Sequence, residues 1–260
     1  MRLDGQVCVI TGAGTGIGRV LASTYAQAGA AVVLAARRVE LLEETAVAVR
    51  AGGGTVTTAR CDIRSEQDCG ALIATALQAY GRVDVLLNNA AVPGTDQAVA
   101  EMDLANWNHT IATNVTGPML LSREALHQAM VPAGRGNIQF FSSAAAKAVL
   151  PRKSHYAVAK LGLIPLAQTL AMEVGAAGIR VNTLVIGTVA GELVDAWADR
   201  VASVEGIDAS VVVQRLANDA AMKRLVTAEE VANTSLWLAS DAASAITGQN
   251  INVTAGAEKR

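Results

Sequence analysis

Tyr156 and Lys160 are the residues whose types and spacing most directly indicate chemistry. They lie four positions apart in the predicted helical segment Ser154–Lys160, so the phenol and the ammonium would share one face of that helix. A phenol with its usual pKa near 10 exchanges protons poorly at neutral pH. Lowering that pKa by about three units requires about 4 kcal/mol. One positive charge at about 4 Å supplies about that much when the effective dielectric constant is about 20. The pair therefore predicts an acid–base tyrosine that a neighbouring lysine activates.

A glycine-rich turn near the start of the chain indicates a phosphate site. It joins a predicted strand at Val7–Ile10 to a predicted helix at Gly16–Ala28. Glycines let the backbone approach a pyrophosphate, and a helix N-terminus offers free N–H groups. The spacing GxGxxG is not met, because its sixth position counted from Gly12 is Ile17, and the glycines fit TGxxxGxG instead. A tight turn without a ligand is the alternative interpretation, but the strand before it and the helix after it favour a nucleotide.

Strand-like and helix-like segments alternate almost to the end of the chain. This alternation predicts an α/β fold of Rossmann type, with a doubly wound parallel sheet in three α/β/α layers. Residues 1–260 are predicted to form one domain, and residues at about 188–225, which fit the alternation least, are predicted to form a lid over the substrate. The predicted strands are Val7–Ile10, Ala31–Ala36, Val56–Cys61, Val83–Leu87, Ile138–Ser142, Ile179–Ile186 and Asn250–Val253. The predicted helices are Gly16–Ala28, Val39–Arg50, Glu66–Ala79, about 107–130, Ser154–Val174 and Ala228–Ala239.

With TGxxxGxG and YxxxK in place, the chain resembles the short-chain dehydrogenase/reductase family over essentially its full length. The resemblance implies a nicotinamide cofactor, with adenine beside the residues after the third strand. It also implies an adenosine ribose beside a segment similar to the family's NNAG, in which Ala91 replaces the usual glycine. The cofactor-binding residues implied in these segments are Gly12, Thr15, Gly16, Ile17, Gly18, Asp62, Ile63, Asn89 and Ala90.

The same resemblance implies a catalytic set of Asn114, Ser143, Tyr156 and Lys160. Ser143 lies thirteen residues before Tyr156, which is the family spacing for the serine that binds the substrate oxygen, while Ser142 is expected to cap the turn after its strand. Asn114 matches the asparagine that holds a water behind the lysine. The implied reaction is hydride transfer to a carbonyl carbon, with Tyr156 protonating the oxygen. Tyr156 and Lys160 would also contact the cofactor, Lys160 through the nicotinamide ribose.

The segment after the sixth strand departs from the family's NxxxPGxxxT. Ile186 stands in the place of the proline and Gly191 in the place of the threonine. Contacts with the nicotinamide are still expected from the four residues Ile186, Gly187, Thr188 and Val189, with Thr188 substituting for the missing hydroxyl.

The end of the second strand favours NADP(H), with NAD(H) as the alternative. Ala36 stands where NAD-binding relatives of this fold carry an acidic residue, and Arg37 and Arg38 follow it. A guanidinium binds a 2′-phosphate through charge-assisted hydrogen bonds. The alternative interpretation is that both arginines only begin a solvated helix, although basic residues are slightly unfavourable at that end.

Composition excludes several kinds of partner. The net charge of -2 and the absence of a long basic run argue against nucleic acid. The longest apolar stretch is bracketed by Lys160 and Glu173 and falls short of the roughly 20 residues that cross a bilayer, so no membrane is expected. His109, His127 and His155 lack ligand spacing, so no metal is expected. His155 is expected at the surface, with a contact on the substrate side as the alternative.

The three cysteines and the N-terminus predict a cytoplasmic location. Cys8, Cys61 and Cys69 lack CxxC spacing and are interpreted as core residues in a reducing compartment. The N-terminal segment leads directly into the first strand and leaves no room for a signal peptide.

The predicted function is NADP(H)-dependent, reversible reduction of a ketone or other carbonyl to a secondary alcohol. Two alternatives stay open: an NAD-linked alcohol dehydrogenase that works oxidatively, and a non-catalytic nucleotide-sensing protein. Residues 92–95, 144–150 and 188–220, with Trp197, are expected to form a mostly apolar substrate pocket, which indicates an apolar small molecule. The resemblance implies a homotetramer.

Overall fold

The computed structural model describes residues 1–257. One sheet of seven strands has the order β3-β2-β1-β4-β5-β6-β7, and every neighbouring pair is parallel. The strands are β1 (Val7–Thr11), β2 (Ala31–Ala36), β3 (Val56–Arg60), β4 (Val85–Asn88), β5 (Gly136–Ser143), β6 (Ile179–Ile186) and β7 (Asn250–Val253). The helices are α1 (Gly16–Gln27), α2 (Val39–Ala51), α3 (Glu66–Tyr80), α4 (Leu104–Ile111), α5 (Gly117–Ala125), α6 (Val131–Ala133), α7 (Ser154–Val174), α8 (Glu192–Glu205), α9 (Ala209–Asn218) and α10 (Ala228–Ala239).

Helices cover both faces of the sheet, which explains why its central strands are continuous apolar runs. Helices α1, α2 and α10 pack on one face, around Ile10 and Leu34. Helices α3, α5 and α7 pack on the other, around Leu86 and Phe140. The three-layer Rossmann-like architecture predicted from the sequence is therefore confirmed.

The order of strands reverses between β1 and β4, and this point fixes where a ligand can bind. In open α/β sheets the crevice lies outside the carboxyl ends of the strands at such a switch. Strands β1, β4, β5 and β6 end at Thr11, Asn88, Ser143 and Ile186. Segments that are far apart in the sequence therefore meet at one edge of the sheet.

The helical segment predicted at about 107–130 begins earlier and is less regular. It starts at Leu104, because the Asp103 carboxylate caps the helix by accepting a hydrogen bond from the Ala105 N–H at 2.9 Å. Two π-helical turns, Ala112–Thr116 and Leu126–Met130, interrupt it. The fourth strand begins at Val85 rather than Val83.

Residues 192–218 form a helical hairpin of α8 and α9 with a small core of its own. Ala198 and Ala202 on α8 pack against Val212 on α9. At the base of the hairpin the Ala190 N–H donates to the Val226 carbonyl at 2.9 Å. The hairpin falls within the segment predicted to be a lid, and that role stays a prediction.

Among residues 1–257, one helical stretch, Ser154–Ala177, is long and apolar enough to cross a membrane by length and composition alone. Core helices of soluble proteins pass the same test. This stretch contains α7, which packs against β5 and β6 and buries Lys160.

Candidate active site

Thr11 fastens the glycine-rich turn to the neighbouring strand. Its hydroxyl donates to the Leu87 carbonyl and accepts from the backbone N–H groups of Asn89 and Ala90, each at 3.1 Å. The Asn89 side chain donates in return to the Thr11 carbonyl at 2.8 Å. Thr11 was predicted only as part of the glycine motif, although its position at the end of β1 indicates a hydroxyl at the edge of the sheet.

Two glycines of the turn are required by close backbone contacts. A Cβ added to Gly12 would lie 2.9 Å from Ala90 Cα, and Gly12 also has a φ of +66°. A Cβ added to Gly18 would lie 2.1 Å from the Gly12 carbonyl oxygen. The N-terminus of α1 can therefore lie directly against the end of β1.

The N-terminus of α1 fits a phosphate group. Its N-cap residue Thr15 makes no side-chain cap, and no acidic residue lies in the first turn. By contrast, α3 and α10 are capped by Ser65 and Thr227. No atom lies within 4 Å of the Cβ position of Gly16, so the space in front of this turn is open. Uncapped N–H groups beside open space suit a pyrophosphate.

Arg37 and Arg38 are exposed, and within residues 1–257 neither side chain forms a hydrogen bond or an ion pair. Arg37 lies near Asp62, whose carboxylate accepts from Arg64 Nε at 2.9 Å. The hydrogen bond from Arg64, with a smaller contribution from the charge of Arg37, lowers the pKa of Asp62 to about 2. Arg64 was missed by the sequence analysis, and no motif marks it.

Two predicted cofactor residues have side chains in the core. Ile63 packs against Gly117, and Ile186 belongs to the cluster around Leu184. The backbone directly after Ile186 is fixed, because the Gly187 N–H donates to the Val253 carbonyl at 2.9 Å. Thr188 is exposed and its hydroxyl forms no hydrogen bond within the described part of the chain. Thr188 therefore fits the substitution expected for the missing threonine.

Lys160 is held at both ends by the last residues of β5. Its ammonium donates to the Phe141 carbonyl at 2.7 Å, and its own carbonyl accepts from the Ser142 hydroxyl at 2.7 Å. Ser142 was expected to cap the turn after the strand, and this is wrong. Ser143 caps it, by accepting from the Ala145 N–H at 3.2 Å, because Ser142 points toward α7.

Tyr156 lies beside both Ser143 and Lys160. The Ser143 hydroxyl interacts with the phenol, and Lys160 Nζ is 5.7 Å from the ring centroid. Burial raises the pKa of Tyr156, and the hydrogen bond from Ser143 opposes the rise. The expectation that Lys160 lowers this pKa is not met in this geometry, since the ammonium is bound to Phe141 and desolvation of the phenol dominates. Burial also lowers the pKa of Lys160 to about 8.

Asn114 is buried in the first π-helical turn, and its side chain holds the loop after β4. Its Oδ1 accepts from the Val92 N–H and its Nδ2 donates to the Val92 carbonyl, both at 2.8 Å. Both polar ends of the amide side chain are thus engaged. The contact with a water that the family resemblance implies stays a prediction.

His155 is fully buried, so its expected surface position is wrong. Its Nε2 lies 3.2 Å from the Pro93 carbonyl oxygen. The loop after β4 folds over the first turn of α7 and covers the imidazole ring. This contact joins segments that are far apart in the sequence, so the position of His155 on its helix does not predict it.

The family model described as enoyl-(acyl carrier protein) reductase matches residues 12–258. The short chain dehydrogenase/reductase astE of Aspergillus oryzae is 36% identical over 258 residues, which cover 98% of this chain and 95% of that protein. The 7alpha-hydroxysteroid dehydrogenase of Escherichia coli K12 is 32% identical over 256 residues, which cover 98% of this chain and 95% of that protein.

Two solved structures are similar to the chain over nearly its whole length. An actinorhodin polyketide ketoreductase variant with NADPH has a TM-score of 0.93 at 29% identity and covers 100% of both chains. An NAD+-bound xylitol dehydrogenase has a TM-score of 0.91 at 27% identity and covers 98% of this chain and 100% of the other. Fold and likeness together define a nicotinamide-dependent oxidoreductase acting on carbonyl and alcohol groups. The chain belongs to the short-chain dehydrogenase/reductase family.

Lys160→Met should weaken cofactor binding and remove a pH dependence. Because burial lowers the pKa of Lys160 to about 8, the ammonium is present below that pH and is lost as the pH rises through it. The dissociation constant of the wild type should therefore increase above about pH 8. In Lys160→Met it should be larger and flat over the same range. Fluorescence titration of the cofactor across this range measures both. Lys223→Met is the control. If Lys160→Met kept the pH dependence of the wild type, Lys160 would be excluded as its source.

Proposed function

We propose that the protein is an NADP(H)-dependent reductase that converts a ketone or other carbonyl to a secondary alcohol, reversibly. The observation that carries the proposal is the convergence of Ser143, Tyr156 and Lys160 at the carboxyl end of β5. At the same edge of the sheet lie the uncapped N-terminus of α1 and the exposed Arg37 and Arg38, which form no hydrogen bond or ion pair within residues 1–257. This arrangement offers an acid, an oxygen-binding hydroxyl and a site for a phosphorylated dinucleotide.

In the proposed mechanism, Ser143 and Tyr156 hold the substrate oxygen, and the phenol donates its proton to that oxygen. When bound, the cofactor supplies the hydride. The high pKa that burial gives Tyr156 keeps the phenol protonated, as a donor must be. Lys160, fixed by Phe141 and Ser142, holds the cofactor ribose and provides the positive charge beside the phenol. Lys160, with a water held by Asn114, returns a proton from solvent to the phenolate.

An apolar small molecule is the proposed substrate class. Val149 and Leu150 are exposed after β5, and Leu193 and Trp197 are exposed on α8. Two relatives are named for a steroid and for a polyketide, both largely apolar compounds. Apolar residues on the segments predicted to line the pocket support this choice, because an apolar ligand would bury them.

Tyr156→Phe should reduce turnover by about 10²- to 10⁴-fold, the usual contribution of a positioned acid or base. The cofactor dissociation constant should change little, since the ring remains. The measurement is single-turnover reduction of a ketone panel, read by cofactor absorbance. Tyr80→Phe on α3, which loses only a bond to Thr57, is the matched control. Turnover above half of the wild-type value in Tyr156→Phe would exclude the phenol from the mechanism.

Arg37→Ala should weaken NADPH binding by about ten- to a hundredfold while leaving NADH binding nearly unchanged. Hydrogen bonds to charged groups contribute about 1.5–3 kcal/mol, and only NADPH carries the 2′-phosphate that would lose them. Ala36→Asp combined with Arg37→Ala should invert the preference, because the new carboxylate repels the phosphate. Both dissociation constants are measured at fixed salt. Equal affinity of the wild type for the two cofactors would favour the NAD-linked alternative.

The protein should form a homotetramer. Leu104 on α4 and Val158 and Leu161 on α7 are exposed, and these two helices pack against each other. Burial in an interface would remove this apolar surface from water. Light scattering at micromolar concentration measures the assembly, and Leu161→Glu should weaken it. A monomeric wild type would contradict the proposal.

A further inference from the structure

His155 is a buried imidazole that the proposed mechanism does not use, although it directly precedes Tyr156. Its exposed fraction is 0%. The Pro93 carbonyl, 3.2 Å from Nε2, can only accept a hydrogen bond, so Nε2 must carry a proton. The other nitrogen, Nδ1, is buried and has no hydrogen-bond partner among residues 1–257.

The backbone of Gly94, the residue after Pro93, also lies against the imidazole of His155. A Cβ added to Gly94 would lie 2.4 Å from His155 Nε2 and 2.6 Å from Thr110 Oγ1. The φ of Gly94 is +66°, a conformation that residues with a side chain rarely adopt. The loop can therefore approach the ring this closely only with glycine at this position.

The loop that His155 holds, residues 91–97, is also bound to the neighbouring segments near both of its ends. Asn114 binds both backbone groups of Val92, and the Gln97 N–H donates to the Arg152 carbonyl at 3.0 Å. An ion pair between Asp96 and Lys153 adds a third tie. These contacts fix where the loop begins and ends. The Pro93–Gly94 peptide between them is held to the first turn of α7 by His155.

The loop also presents side chains beside the catalytic helix. Ala91, Pro93 and Thr95 are exposed, while Val92 and Gly94 between them are half-buried. This alternation turns one edge of the loop outward. Pro93 contacts His155, the residue next to Tyr156, and residues 92–95 are predicted from the sequence to line the substrate pocket.

A purely structural role does not account for the imidazole. Phenylalanine would fill a similar volume without leaving a buried nitrogen unpaired, and an unpaired buried nitrogen is unfavourable. Compared with phenylalanine, histidine adds the Nε2–H group that donates to the Pro93 carbonyl. The structure thus retains an unfavourable buried atom together with one specific hydrogen bond to the loop.

We propose that His155 is a positioning residue that fixes the Pro93–Gly94 peptide relative to Tyr156 and so sets how the substrate carbonyl approaches the phenol. The inference rests on the proposed function, because it assumes that Tyr156 acts on a carbonyl. Within residues 1–257 the His155 side chain forms its hydrogen bond with Pro93, and none with Ser143, Tyr156 or Lys160. Its loss should therefore affect the substrate and not the cofactor.

The first test compares His155→Phe with His155→Gln. Phenylalanine keeps the ring but loses the donor, whereas the glutamine amide can place a donor near the position of Nε2. We expect His155→Phe to lower kcat/KM for a ketone by about ten- to a hundredfold, since displacement by about 1 Å has effects of that size. His155→Gln should recover most of this loss. The cofactor dissociation constant should stay within about twofold in both variants, because the contacts at α1 are untouched. His127→Phe, at an exposed histidine, is the control.

Gly94→Ala tests the same contact from the loop side and keeps the proposal falsifiable if His155→Phe does not fold. Its added methyl group would push the loop off the imidazole. The losses in Gly94→Ala and His155→Phe should overlap in the double variant rather than multiply, as expected for residues that share one interaction. Multiplicative losses would show that the two residues act separately and would overturn the proposal.

Hydrogen exchange of residues 91–97 separates this proposal from the proposed function, since it needs no substrate. Exchange should be faster in His155→Phe than in wild type and near the wild-type rate in His155→Gln. If the wild type is active, any of three results would reject the positioning role alone. These are unchanged exchange in His155→Phe, unchanged kcat/KM in His155→Phe, or equal losses of kcat/KM in His155→Phe and His155→Gln. Wild type that turns over neither ketones nor secondary alcohols would reject the proposed function, and with it the substrate role of His155, while the exchange data would still report on the loop contact.

Discussion

The burial of the Lys160 ammonium is the constraint on which the rest of the site depends. Moving a charge out of water is costly, and here burial brings the pKa from the usual 10.5 to about 8, equivalent to about 3 kcal/mol. The cost is offset by the Phe141 carbonyl, while Ser142 fastens the same residue's backbone. Strand β5 and helix α7 must therefore keep their register, and this register also brings Ser143 to Tyr156. One arrangement of strand against helix thus places all three groups.

Desolvation acts on both members of the YxxxK pair, in opposite directions. It raises the pKa of Tyr156 and lowers the pKa of Lys160, so each group is driven toward its neutral form. A neutral phenol is a proton donor, and this suits reduction. In the oxidative direction the phenol must lose a proton, and a positive charge close by is then needed to stabilise the phenolate. In this geometry the Lys160 ammonium is bound to the Phe141 carbonyl and does not lower the pKa of the phenol, so it would have to approach the phenol more closely to serve oxidation.

The sequence predicted the sheet well, and it singled out Ser143, Tyr156 and Lys160, which the structure brings together, because both predictions depend on local patterns. Strand β6, helix α7 and helix α10 begin and end where their patterns predicted. The sequence could not predict features that depend on contacts between distant segments. The π-helical turn at Asn114, the loop that covers His155 and the pairing of Arg64 with Asp62 all bring together residues that no periodicity links. For Ser142 and Ser143, the type and place of both hydroxyls were predicted, but only the packing of α7 on β5 determined which one caps the turn.

The departures after β6 show how backbone contacts can replace a motif. A proline at position 186 would have no N–H and would restrict the backbone of the preceding residue. Ile186 instead continues β6, pairs in register with Val253 and buries its side chain in the core. The following residues are held by the bonds from the Gly187 N–H to the Val253 carbonyl and from the Val226 N–H to the Thr188 carbonyl. Rigidity that a proline would give through its ring is here given by pairing with β7 and with the base of the α8–α9 hairpin. The backbone of Thr188 is therefore tied to the base of that hairpin, which lies in the segment predicted to form the substrate lid.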